Sequence, residues 1–112
     1  MARYQTTLTG DRKALVAHLD EVILGGSMTA DRDDSVEQRV GDATMMVLVY
    51  ERYSAVGGNR LSLTVSILSV DDHLAVTMVS AGGSQAVFFK INSFGESTFL
   101  HAGREALESF RG

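Results

Sequence analysis

The sequence predicts an α+β domain, an antiparallel sheet with two helices packed on one face, and three observations carry that reading. Over residues 60–70, Leu61, Leu63, Val65 and Ile67 alternate with Ser62, Thr64 and Ser66, the period of a strand with two unlike faces. Two other stretches carry helical spacing: Leu15, Leu19, Val22 and Ile23 near the start, and Phe99, Gly103, Ala106 and Phe110, with Leu107, near the end. Between them, glycine and aspartate pairs cut the apolar middle of the chain into strand-length pieces. The predicted order is β-α-β-β-β-β-α over a single domain, residues 1–112.

Each element has its own signal. Tyr4, Thr6 and Leu8 alternate with Arg3, Gln5 and Thr7, a short half-buried strand. Thr9-Gly10-Asp11 supplies the chemistry of a helix start, and Gly25-Gly26 ends that helix with the glycine a left-handed cap requires. Residues 27–40 are extended but polar, which suits an edge strand broken near Asp33-Asp34-Ser35. Gly41-Asp42 turns the chain into residues 43–53, the most apolar strand, and Gly57-Gly58-Asn59 closes a hairpin into residues 60–70. Asp71-Asp72 leads into residues 73–81, with Leu74, Val76 and Met78 on one face. Residues 85–91 read either as a sixth strand or as a buried lead-in, and Ser93 with Glu96 fits a capping box for the last helix.

Composition excludes whole classes of function. The 112 residues contain no cysteine, which removes disulfides, thiolate nucleophiles and cysteine-held zinc. A net charge of −4 with scattered basic residues speaks against nucleic acid as a partner. No apolar run reaches the ~20 residues that cross a bilayer, so no membrane role is expected. With no apolar leader at the N-terminus, the expected location is cytoplasmic.

Three glycine pairs followed by a small polar residue, Gly25-Gly26-Ser27, Gly57-Gly58-Asn59 and Gly82-Gly83-Ser84, use six of the 11 glycines. Alternating strand direction brings all three to one end of the sheet, here called the top. Each pair sits where a cap, a hairpin or a strand exit is needed anyway, so turn-making suffices to explain it. The alternative is the mouth of a site for a small polar or anionic ligand, formed by Arg52, Asn59, Arg60, Ser84, Gln85 and Lys90. None of the pairs has the spacing of a phosphate loop or a dinucleotide fingerprint.

Catalysis has no constellation behind it. His18, His73 and His101 fall on separate elements, and Ser84 lacks the flanking pattern of a nucleophile elbow. Asp31-x-Asp33-Asp34 lacks the glycine and terminal glutamate of a calcium loop, and Asp71-Asp72-His73 reads as a polar turn. No catalytic residue, metal or cofactor is therefore expected, and a small hydrolase or transferase built on Ser84 ranks last among the readings.

The sheet face away from the helices raises a second possibility. Ser62, Thr64, Ser66, Ala75, Thr77 and Val79 belong there, joined by Met46, Leu48 and Tyr50 or by Met45, Val47 and Val49, depending on register. Both faces of that third strand are apolar, which fits a homodimer packed through the sheet, or a strongly curled sheet with this strand at its centre.

The stretches Tyr50-Glu51-Arg52-Tyr53, Gly57–Leu63 and Ser80–Glu96 resemble a family of small uncharacterised bacterial proteins along nearly the whole chain. That resemblance implies kinship without an activity. The element order is also similar to the TATA-binding-protein-like fold, in topology alone. The expected function is accordingly a non-catalytic domain, homodimeric, binding a small ligand or a partner at its glycine-rich end. The alternative is a structural homodimer acting through the open sheet face.

Overall fold

The computed structural model describes residues 2–26, 29–53, 60–82 and 89–111, with the side chains of residues 89–97 outside the description. In chain order the elements are β1 (Ala2–Thr9), α1 (Arg12–Gly25), β2 (Asp31–Val40), β3 (Ala43–Tyr53), β4 (Arg60–Val70), β5 (His73–Gly82) and α2 (Phe89–Ser109). The strands form one five-stranded sheet in the order β1-β5-β4-β3-β2, every neighbouring pair antiparallel. Four consecutive strands make a meander. β1 closes on its far side after α1 has crossed the sheet, which is the α+β order read from the sequence.

Asp11 starts α1 as expected. Its backbone is extended and its carboxylate accepts the Ala14 N–H at 2.9 Å, satisfying one of the four free donors of the first turn. The helix then buries Leu15, Leu19 and Ile23, three of the four residues assigned to its inner face. Its end differs from the expectation of a left-handed cap. Gly26 has φ −87° and ψ −2°, right-handed values, and its N–H still reaches the Val22 carbonyl at 3.1 Å, so neither glycine of the pair takes a positive φ. Among the described residues positive φ is found instead in the β2–β3 and β4–β5 turns, at Gly41 (58°) and Asp71 (54°), where a two-residue connection demands it.

Helix α2 begins earlier than the capping-box pattern implies. Phe89 to Ile91 are already helical, so Ser93 and Glu96 lie inside the helix and Ser93 cannot cap its start. The same geometry removes residues 89–91 from any sixth strand, whereas 85–88 lie outside the described residues.

The pairing settles which face of β3 looks inward. Leu48 lies opposite Val65 and Tyr50 opposite Leu63, so Met46, Leu48 and Tyr50 face the helices while Met45, Val47 and Val49 face away. The core lies between this inner face and the helices. It consists of Leu48, Tyr50, Leu61, Leu63, Val65, Ile67, Leu74, Val76 and Met78 from the sheet, closed by Leu15, Leu19, Phe99 and Ala106. Gly103 sets how closely α2 approaches, because a Cβ there would meet Met78 Sδ at 2.8 Å and Leu63 Cδ2 at 2.9 Å. At the other edge all ten residues of β2 are exposed, and its register slips between Arg32 and Asp34, where the sequence pattern breaks. Among the described residues no helix is long and apolar enough to cross a membrane.

Candidate functional site

The strand ends gather the described part of the glycine-rich rim. Gly82 lies opposite Leu61, and β3 ends at Tyr53 opposite Arg60. Just beyond α1, the Thr29 hydroxyl accepts the Tyr53 N–H at 3.2 Å, which brings the Gly25-Gly26 exit to the same end. Gly57, Gly58 and Gly83 lie outside the described residues, as do the predicted site residues Asn59, Ser84 and Gln85. Lys90 belongs to the start of α2, its side chain outside the description.

Arg52 and Arg60 do come to the top, on opposite faces. Arg52 pairs with Leu61 and so points to the helix side; Arg60 pairs with Tyr53 on the open side. Between them a cavity of about 240 Å³ is lined by Thr29, Asp31, Asp33, Glu51, Arg52, Tyr53 and Arg60. Arg60 is committed to Glu51 at 2.5 Å. Desolvation raises the Glu51 pKa, the hydrogen bond to Asp33 and the charges of Asp33 and Asp31 push the same way, and Arg60 opposes them. Arg52 stacks on the Phe99 ring, its guanidinium carbon 4.3 Å from the centroid, and burial lowers its pKa. Among the described residues no ion pair engages Arg52. This rim can hold a polar group by charge and hydrogen bonding, and among its described residues no nucleophile stands beside a base.

A second polar cluster, not foreseen from the sequence, lies below the rim. The fully buried Tyr50 donates its hydroxyl to Asp20 Oδ1 at 2.6 Å, and Arg32 donates to Asp20 Oδ2 at 2.7 Å. Burial first, and Asp20 next, raises the Tyr50 pKa far above its ordinary value, so the phenol stays protonated. The three side chains tie α1, β2 and β3 together. Nothing in the sequence singled this cluster out: the facing of Tyr50 was left open there, and Asp20 stands 30 residues away in the chain.

The histidines serve separate local roles. His18 meets Ser109 Oγ at 2.8 Å and packs its ring against Phe110, joining the two helices. His101 pairs with Glu105 at 2.6 Å along α2, and His73 sits exposed beside Asp72 at the bottom turn.

The open face has a different character. Val36, Met45, Leu68 and Val70 are each between 38% and 48% exposed, and Val40 is 81% exposed. Their partners in the register, Val47, Ala43 and Ala75, extend the same surface without a charge. Toward β1 it deepens into a groove of about 380 Å³ lined by Thr7, Thr9, Leu68, Val70, His73 and Ala75, with Leu8 and Leu74 at its wall. A family model described as a family of unknown function (DUF6054) matches residues 1–111. The chain belongs to that family. Comparison with curated proteins gives no match. Membership covers residues 1–111 and brings no reaction with it, so the function has to be argued from the two surfaces just described.

Proposed function

We propose that this DUF6054 domain is a non-catalytic interaction module that docks a second copy of itself through the open face of its sheet. The observation that carries this is the uncovered apolar surface of Val36, Val40, Met45, Leu68 and Val70, opposite a face that the helices cover. Five strands at about 4.8 Å spacing and some nine residues at about 3.3 Å make a face roughly 24 Å by 30 Å, on the order of 700 Å². That is close to the ~800 Å² per partner of a stable interface. Its middle row, Val47, Ser66 and Thr77, carries no charge, so two such faces can stack about a two-fold axis without opposing charges at the centre.

Light scattering on a sizing column tests the reading. Leu68→Asp or Thr77→Asp should halve the mass of the wild-type assembly while leaving the circular dichroism spectrum unchanged. An assembly indifferent to both charges removes the open face as the interface.

A second reading, a small polar ligand at the glycine-rich rim, is favoured by one observation: Arg52 sits desolvated and without an ion pair among the described residues, at the wall of the 240 Å³ cavity. Asp31, Asp33 and Glu51 outnumber the two guanidiniums there, which favours a ligand that also carries a cationic or donor group. Native mass spectrometry should then find a co-purifying mass that Arg52→Ala abolishes; a protein free of added mass speaks for the interaction module alone. A bacterial, cytoplasmic setting suits a cysteine-free chain and belongs to the same proposal. So does kinship of topology with the TATA-binding-protein-like fold, from which the charge of −4 argues against borrowing DNA binding.

A further inference from the structure

We propose that the outer edge of β2 is a second self-association surface, where residues 36–40 pair antiparallel with the same residues of a second copy about a two-fold axis at Gln38. The surface is distinct from the open face and does not depend on it. β2 ends the sheet, and its ten residues are exposed; α1 reaches its helix side through Arg12–Glu37 and Asp20–Arg32 without burying the strand. A bare edge offers a row of backbone donors and acceptors to another strand. Charge and a bulge commonly blunt such edges, and here the like-signed carboxylates and the bulge share one half: Asp31, Asp33 and Asp34, with the register slip at Asp33. The other half, Val36-Glu37-Gln38-Arg39-Val40, pairs regularly with β3 and is left without that protection.

Charge decides the register. A two-fold axis perpendicular to the sheet keeps each face on its own side, so residues brought opposite one another must share a face. Val36, Gln38 and Val40 lie opposite Val47, Met45 and Ala43 and belong to the open side; Glu37 and Arg39 lie opposite Met46 and Thr44 on the helix side. The axis must therefore pass through a residue. Centred on Glu37 or on Arg39, it sets like charges against each other at the axis. Centred on Ser35, it opposes Glu37 and Asp33; centred on Val36, it draws the bulged Asp33 into the pairing. Centred on Gln38, it places Glu37 against the partner subunit's Arg39, and Arg39 against the partner subunit's Glu37. The same register covers Val36 with the partner subunit's Val40 and repeats that contact across the axis. Glu37 holds Arg12 through Oε1 at 3.1 Å, which leaves Oε2 for the new pair.

The outcome is two five-stranded sheets joined into one, their open faces on the same side. Combined with face-to-face docking about an in-plane axis that crosses the first at right angles, the two isologous contacts close into a tetramer. Sedimentation of the full chain should therefore give four times the 12.1 kDa chain mass.

The test is a charge swap. Arg39→Glu should weaken the edge contact about tenfold or more, because two attractive pairs become repulsive, and the tetramer should fall to a dimer. The double variant Glu37→Arg/Arg39→Glu restores opposite charges and should restore the tetramer. Thermal unfolding of each variant, unchanged in the dissociated form, shows that the fold is intact. An assembly unaffected by Arg39→Glu overturns the edge pairing, as does a double variant that fails to reassemble. The two surfaces separate cleanly: a wild-type dimer lost in Leu68→Asp but not in Arg39→Glu overturns the edge alone. A dimer lost in Arg39→Glu but not in Leu68→Asp supports the edge and overturns the open-face reading. A wild-type monomer overturns both.

Discussion

The two faces of the sheet are built from the same strands and obey opposite rules. On the helix side Leu61, Leu63, Val65 and Ile67 of β4 are at most 1% exposed, whereas Leu68 on the other side is 45% exposed. Both sets are aliphatic residues in one strand, separated only by parity. Hydrophobic content alone therefore does not say which residues hold the monomer together; the layer that covers them does.

The comparison breaks most sharply at paired truncations. Leu63→Ala should cost about 2–5 kcal/mol, the loss of a fully buried side chain plus the cavity it leaves. Leu68→Ala should cost less than about 1 kcal/mol in the monomer, where much of that side chain is already wet. Urea unfolding at a concentration low enough to dissociate the assembly measures both. Equal losses would mean that the open face is buried within the monomer fold. Glycines on α1 and α2 repeat the contrast. Gly25 has nothing within 4 Å of an added Cβ, so Gly25→Ala should be neutral or slightly stabilising. Gly103→Ala should instead lose about 1–3 kcal/mol through overpacking against Met78 and Leu63, partly offset by helix propensity.

That contrast also explains what could be read from the residues alone. β3 and β4 fall where alternation and turn chemistry put them, because period-two patterning and Gly-Asp or Asp-Asp turns are local signals. Local too are the Asp11 cap and the break in β2. The inner face of β3 was not legible: Met45, Val47 and Val49 are as apolar as Met46, Leu48 and Tyr50, and only pairing with β4 chooses between them. The capping-box pattern misled because Ser-x-x-Glu is also tolerated inside a helix, and nothing near Ser93 marks the start at Phe89. At the rim, sequence spacing correctly put Arg52 and Arg60 at the top. It gave Arg52 no aromatic partner and assembled no carboxylates around Arg60, since Phe99, Asp31 and Asp33 arrive from α2 and β2.

A polar member of the closed face gives a pH-dependent version of the comparison. Tyr50→Phe removes the hydrogen bond to Asp20 and should cost about 1 kcal/mol near neutral pH. The raised Tyr50 pKa means the folded state keeps a proton that the unfolded chain releases above about pH 10. Its contribution is complete below that pH and is lost as pH rises further, with a slope approaching 1.4 kcal/mol per unit. Alkaline unfolding of Tyr50→Phe should therefore be shallower than that of the wild type, and the two stability curves should converge with rising pH.

The smallest effects are expected at two serines of the closed face, and there the sign carries the information. Ser80 is fully buried and its hydroxyl finds no hydrogen-bond partner among the described residues, whereas Ser69 accepts from Arg12 at 3.3 Å. A buried hydroxyl without a partner costs free energy, so Ser80→Ala should stabilise the fold, by about 0.5–1 kcal/mol. Ser69→Ala should destabilise by a similar ~0.5–1 kcal/mol, because it takes a partner from a guanidinium whose Nε already has none among the described residues. If both variants move the urea midpoint the same way, burial alone governs this face. Opposite shifts would show that the inner layer discriminates between polar groups by their partners, as the open layer, bathed in water in the monomer, has no need to do.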